Sequence, residues 1–276
     1  QDSSSAASDV YKRQGRDFPK DYLEELADRN INMEGVEIDN TGDTFYWKGR
    51  YHKDINRRDT LVTALNTLAN FNPIVPDGFK DAKVVLLGNL NPDTQESVIS
   101  QINPQNTTII LDTMNFWIER AWDELMHVVS KTNIITINDE EAFQMTGKTN
   151  ILSAANQISE MGPPYVIIKK GEHGSMLYHN DQIFLAPAVI LDNVVDPTGA
   201  GDTFAGGMAG FLASQPTLNF EVLKTAMVYG SSVASFCVTD FGTKAIVNTS
   251  ILQIKKRVDM LKLSLIHISE PTRRAI

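Results

Sequence analysis

The chain has 276 residues, 42% of them hydrophobic, enough to bury the core of one large domain with a small appendage. With 34 acidic against 25 basic side chains its formal net charge is −9, which argues against any general affinity for nucleic-acid backbones. Cys237 is the only cysteine, so no intrachain disulfide is available, and no apolar run reaches the roughly 20 residues of a membrane span, so a cytoplasmic protein without membrane partners is expected.

Residues 1–14 (QDSSSAASDVYKRQ) and 263–276 (LSLIHISEPTRRAI) have the chemistry of neither a signal peptide nor a core element. They resemble translated adapter sequence from shotgun assemblies and are expected to be non-native tails, leaving 15–262 as the folded domain. After Gly15, Pro19 suits a helix start, and Tyr22, Leu23 and Leu26 form an apolar stripe to about Arg29. From Val36 to about Lys53 the pattern changes to short strand-prone segments through Phe45, Tyr46, Trp47 and Arg50, with Gly42 and Gly49 as punctuation.

Beyond Pro76, apolar runs alternate with amphipathic ones. Strands are predicted at 82–87, 107–111, 134–137 and 165–168, with helices near 93–102, 118–130, 140–146 and 151–161. This alternation defines an α/β protein with a parallel sheet covered on both faces. Ligands of such sheets sit at the carboxyl ends of the strands, and there the polar groups gather: Gly88-Asn89, Asp112 with Asn115, Asn138 with Glu141, and Lys169 to Gly174. Further helices are predicted over 220–236, where Cys237 reads as a buried structural thiol, and near 250–261.

The most informative stretch is Asp196-Pro197-Thr198-Gly199-Ala200-Gly201-Asp202, which runs straight into a small-residue helix. Gly199, Ala200 and Gly201 leave successive backbone N–H groups uncovered at a helix N-terminus, an arrangement suited to a phosphoryl group. Asp202 would repel phosphate if it served only to bind it; beside an anion hole it can accept a proton from an attacking hydroxyl. The plainer reading is an acidic residue in an ordinary first helical turn. Asn138-Asp139-Glu140-Glu141 likewise reads as a helix cap followed by acidic residues. Gly147-Lys148-Thr149 is not a P-loop, because Ala142 stands where that pattern needs glycine.

The 196–207 segment resembles the C-terminal signature of the PfkB carbohydrate kinase family, also called the ribokinase family, and Asn138 with Glu141 is similar to that family's Asn-x-x-Glu motif. The resemblance implies a ribokinase-like three-layer α/β/α fold with a mostly parallel central sheet and a small β lid, here about 36–53. It implies a kinase using ATP and Mg2+ on a small sugar or, alternatively, a nucleoside. The amides of Gly199, Ala200 and Gly201 would stabilise the transferring phosphoryl group, and Asp202 would deprotonate the substrate hydroxyl. Asn138 and Glu141 would organise water around Mg2+, without losing their cap role. Lys169, Gly171, Gly174 and Thr198 fall on the nucleotide side, with Lys169 either reaching phosphate or solvated. Asp196 and Thr198, with carbonyls near 235–242, would form a K+ site as in some relatives. Tyr46, Arg50 and Asn115 are the substrate-side candidates, although Asp112 and Asn115 stand two residues apart where the family places one. The lid would also pair two subunits. Gly15 to Phe18 resembles a family segment that follows the first strands, so roughly 45 to 55 residues are expected to be missing upstream. That loss makes a catalytically silent nucleotide- or sugar-binding fragment the reading from another class.

Overall fold

The computed structural model describes residues 8–51 and 58–269. The chain divides into two compact units, one built from 1–83 and 90–107, the other from 84–89 and 108–276.

In the first unit, β1 (Ser8–Gly15) pairs in parallel with β2 (Ile31–Asp39), joined by helix α1 (Lys20–Asp28). A second, antiparallel pair joins β3 (Tyr46–Tyr51) to β4 (Arg58–Ala64), and helix α2 (Pro92–Ile99) starts at an Asn91 cap whose side chain accepts the Asp93 N–H. The expected lid therefore needs correction: Val36 to Asp39 complete β2, and the partner of β3 is a strand at 58–64. Within the expected non-native tail 1–14, the residues from Ser8 onward run as β1 beside β2. Register pairing of Lys12 with Val36 and Gln14 with Ile38 makes them a strand, and the Arg13 guanidinium lies 2.7 Å from the Asp39 carboxylate. Residues 1–7 and 270–276 of the two expected tails, and 52–53 of the expected lid, lie outside the described residues.

The second unit holds a six-stranded sheet. Its strands are β5 (Val84–Leu87), β6 (Thr108–Asp112), β7 (Ile134–Asn138), β8 (Tyr165–Lys169), β9 (Ser175–His179) and β10 (Gln182–Ala186), in the spatial order 10-9-8-7-6-5. β5 to β8 are parallel, and β9 and β10 close one edge as an antiparallel hairpin. Ile and Val dominate β6 to β8 because both faces of these strands are covered: Ile110, Ile134 and Ile167 on one face and Leu111, Ile135, Val166 and Ile168 on the other are all withdrawn from water. The first of these faces packs against Phe204, Met208 and Leu212 of helix α7 (Ala200–Ala213) and Leu223, Ala226 and Met227 of helix α8 (Phe220–Cys237).

Helices α3 (Asn115–Arg120), α4 (Trp122–Val129), α5 (Asp139–Thr146) and α6 (Ile151–Glu160) follow β6 and β7, and α5 and α6 pack on β7 and β8. The single helix expected over 118–130 is broken at Ala121, whose φ of −144° and ψ of 49° leave the helical region. After the short α9 (Lys244–Val247), α10 (Ile251–Ser269) runs past the expected boundary at residue 262. Val258 and Leu261 of α10 bury against Val228 of α8, and Leu265 joins that cluster, so part of the second expected tail contributes packing. No helix among the described residues is long and apolar enough to cross a membrane.

Candidate active site

The parallel strands end on the same side, and the last residues of β6, β7 and β8 are Asp112, Asn138 and Lys169. Register places Asp112 opposite Thr136 and Asn138 opposite Lys169, so three adjacent strands present an acid, an amide and an ammonium within one stretch of sheet edge.

The start of α7 is a clamped turn. The Val195 and Asp196 N–H groups both donate to the Val238 carbonyl, the Thr198 N–H donates to Asp196 Oδ1 at 2.9 Å, and Cys237 Sγ donates to the Thr198 carbonyl at 3.6 Å. Gly199 caps the helix at φ +79°, a left-handed conformation that glycine adopts without penalty. The Gly199 carbonyl accepts the Thr203 N–H at 2.9 Å, the first helical bond, so Gly201 and Asp202 lie in the first turn, where no carbonyl four residues earlier belongs to the helix. Ala200 departs from expectation: its N–H donates to the Pro197 carbonyl at 3.2 Å and is used in the turn itself.

Lys169 joins the sheet edge to this turn. Its Nζ lies 2.9 Å from Asp112 Oδ1, and a Cβ on Gly201 would stand only 3.2 Å from the same Nζ. Burial pushes the Lys169 ammonium down, but the carboxylates of Asp112, Glu141 and Asp202 outweigh it and hold the group above the ordinary lysine range. Of the two readings of Lys169, the solvated one does not hold: the side chain is 17% exposed and ion-paired. Asp112, whose altered spacing left it without a role in the sequence, is that partner, and Thr136 Oγ1 also donates to it at 3.2 Å. The sequence placed Asp112 at a strand end; what it missed was the sheet register that brings Lys169 to it.

Asn138 and Glu141 form a reciprocal capping box on α5: the Asn138 side chain accepts the Glu141 N–H, and Glu141 Oε2 accepts the Asn138 N–H, both at 2.8 Å. Glu141 is 3% exposed and contributes to the field on Lys169. Among the described residues no group of three metal-ligating side chains comes together. A buried carboxylate suits Mg2+, an ion that keeps several waters and shares its remaining ligands with phosphate oxygens.

Gly171 and Gly174 bound a turn after β8 that the Lys170 N–H closes onto the Gly174 carbonyl at 2.8 Å. Gly174 has φ +84°, and a Cβ there would lie 2.1 Å from the Ala186 carbonyl oxygen, so its glycine is dictated by backbone crossing backbone. Asn115 is engaged elsewhere, since its Nδ2 donates to Gln144 Oε1 at 2.6 Å and ties α3 to α5. Tyr46 and Arg50 are exposed on β3 of the first unit. On α8, Ala226 is fully buried in the core, and the partly buried Tyr229 stacks on Phe211 at 4.6 Å between ring centroids.

This architecture recurs in solved kinases of the ribokinase fold. The nucleoside kinase of Methanocaldococcus jannaschii superposes with a TM-score of 0.73 at 20% identity over 92% of this chain and 81% of that one. The ribokinase of Arabidopsis thaliana, solved with ribose and ATP, gives 0.72 at 20% identity over 91% and 82%. In sequence, the cytidine kinase of Thermococcus kodakarensis is 30% identical over 206 residues, 73% of each chain. Residues 8–250 match the pfkB family carbohydrate kinases, and the chain belongs to that family of phosphotransferases.

Proposed function

We propose that the chain transfers the γ-phosphoryl group of ATP to a hydroxyl of a small sugar, with Asp202 as the general base. The observation that carries this reading is Asp202 in the first turn of α7, three residues after a left-handed Gly199 and next to Gly201, against which the Lys169 ammonium lies. A carboxylate there accepts the proton of the attacking hydroxyl, while the Gly199 and Gly201 amides and the positive end of α7 meet the charge on the phosphoryl oxygens. Lys169 adds a full charge at the same place. Asn138 and Glu141 would hold Mg2+ through water, and that ion, when bound, supplies neutralisation of the β- and γ-phosphate charge. Glu141 Oε2 accepts the Asn138 N–H in the cap, so the carboxylate is held at the start of α5; Gly171 and Gly174 shape the turn beside the nucleotide. Asp196, with Thr198, is the candidate K+ residue, although its Oδ1 already accepts the Thr198 N–H. Positioning and electrostatics carry most of the rate in such a transfer.

A nucleoside is the second reading of the acceptor, favoured by the cytidine kinase relative. A panel of pentoses, hexoses and nucleosides, read by ADP release, separates the two. In that assay Asp202→Asn is expected to lower turnover by roughly 10² to 10⁴ while leaving ATP binding near normal; a variant keeping most of its rate removes Asp202 from the role of base. Binding without ADP release from any acceptor is the result expected of a silent fragment.

A further inference from the structure

Asp112 ends β6 as a carboxylate only 7% exposed, and the phosphoryl-transfer reading gives it nothing to do. A carboxylate withdrawn from water is costly unless charge and hydrogen bonds compensate it. Here Oδ1 accepts from Lys169 Nζ at 2.9 Å and from Thr136 Oγ1 at 3.2 Å. Thr136 sits on β7, the strand between β6 and β8, so the lysine stem reaches across an intervening strand to make the pair. On its other side the same Nζ stands 3.2 Å from where a Gly201 Cβ would be. The ammonium is therefore fixed between the sheet edge and the first turn of α7.

Resting on the phosphoryl-transfer reading, we propose that Asp112 is a positioning residue acting through Lys169: it pins the ammonium beside Gly201 to meet the transferred phosphoryl group. Gly201 lacks a side chain because that ammonium needs the space. An unpinned lysine loses rotamer entropy each time it meets a ligand. Pairing with Asp112 uses one of its three N–H donors and restricts the stem beforehand. It also keeps the ammonium from settling on the Asp202 carboxylate, where an ion pair would make the base weaker. The carboxylates of Glu141 and Asp202 act on the same ammonium, so without Asp112 the competition would be immediate.

The test is calorimetric binding of an imido analogue of ATP and of ADP, each with Mg2+, to the full chain and to Asp112→Asn, Lys169→Met and the double variant. Lys169→Met is expected to weaken the analogue roughly tenfold and ADP by less than about twofold, Asp112→Asn to produce part of that loss, and the double variant to match Lys169→Met. Losses that multiply in the double variant, or that fall equally on ADP, overturn the proposal. Should Asp112→Asn fail to fold, Thr136→Val removes the second donor to Asp112 and is read against Lys169→Met by the same rule. A wild-type chain that binds neither nucleotide overturns the proposal together with the reading beneath it. If Asp202→Asn keeps its turnover, the base assignment alone falls, since coupling between Asp112 and Lys169 is measured without turnover.

Discussion

Gly199 and Gly174 share a positive φ but differ in what surrounds them, and the difference sets the outcome of substitution. At Gly199 a Cβ would meet only Cys237 Sγ, at 3.8 Å, an ordinary contact. Gly199→Ala is expected to cost about 1–2 kcal/mol of stability, the left-handed penalty alone. At Gly174 the added carbon would lie 2.1 Å from the Ala186 carbonyl, so backbone must move and Gly174→Ala is expected to cost several times more. Thermal or urea melts of the two variants check the order; equal losses would contradict it. The sequence marked both glycines but not their reasons, because one reason is a dihedral angle and the other a strand crossing twelve residues away. Lys169 was legible as a residue at a strand end. Its partner was not, since Asp112 meets it only through sheet register across 57 positions of chain.

Among the elements, α5 opens on the Asn138–Glu141 capping box, the pair to which the proposed function gives Mg2+. Asn138→Ala removes a side-chain cap and is expected to cost about 1 kcal/mol, seen as a lowered melting temperature. Glu141→Gln keeps an oxygen acceptor for the Asn138 N–H but loses the charge, so it is expected to hold stability while raising the Mg2+ concentration needed for turnover. A Glu141→Gln variant that melts early with unchanged Mg2+ dependence would confine Glu141 to the cap. The alternation of strands and helices from residue 82 to 169 was readable because buried parallel strands are nearly continuous runs of Ile, Val and Leu. The β9–β10 hairpin escaped that pattern. Its signal was the Asn180-Asp181 pair, both at positive φ (45° and 62°), which builds the tight turn. The break at Ala121 had no signal, alanine being the best helix former. Trp117, buried and donating to Asn89 Oδ1 at 3.0 Å, fixes α3 by a tertiary bond instead.

At the scale of the whole molecule, acid is expected to act first on the unit that contains β1 to β4. Asp17 is held below the usual carboxylate range chiefly by the Thr44 N–H, Asp39 by the Thr41 hydroxyl and N–H with Arg13 adding to it, and Asp77 by Lys80. All three belong to that unit. A depressed folded pKa means stability that is present above the unfolded value of about 3.9 and is lost as pH falls through the folded one. Hydrogen exchange at pH 5 and pH 3, corrected for intrinsic rates, is expected to show protection in β1 and β2 falling while β6 to β8 stay closed. Uniform loss across both units would reject this. Arg13, within the stretch expected to be a non-native tail, has an acidic partner in β2 that only the folded chain brings alongside.

The division into units is not a division of the chain. The backbone passes between them after Lys83, after Asn89 and after Thr107, so no single proteolytic cut separates one from the other. The order of synthesis inherits this. β5 emerges from the ribosome before the stretch 90–107, which belongs elsewhere, and at about 5–20 residues per second it waits roughly one to four seconds before β6 arrives to pair with it. Of the sheet's described strands, the edge strand β5 is thus the first made, and a nascent chain must keep it soluble until β6 has been translated.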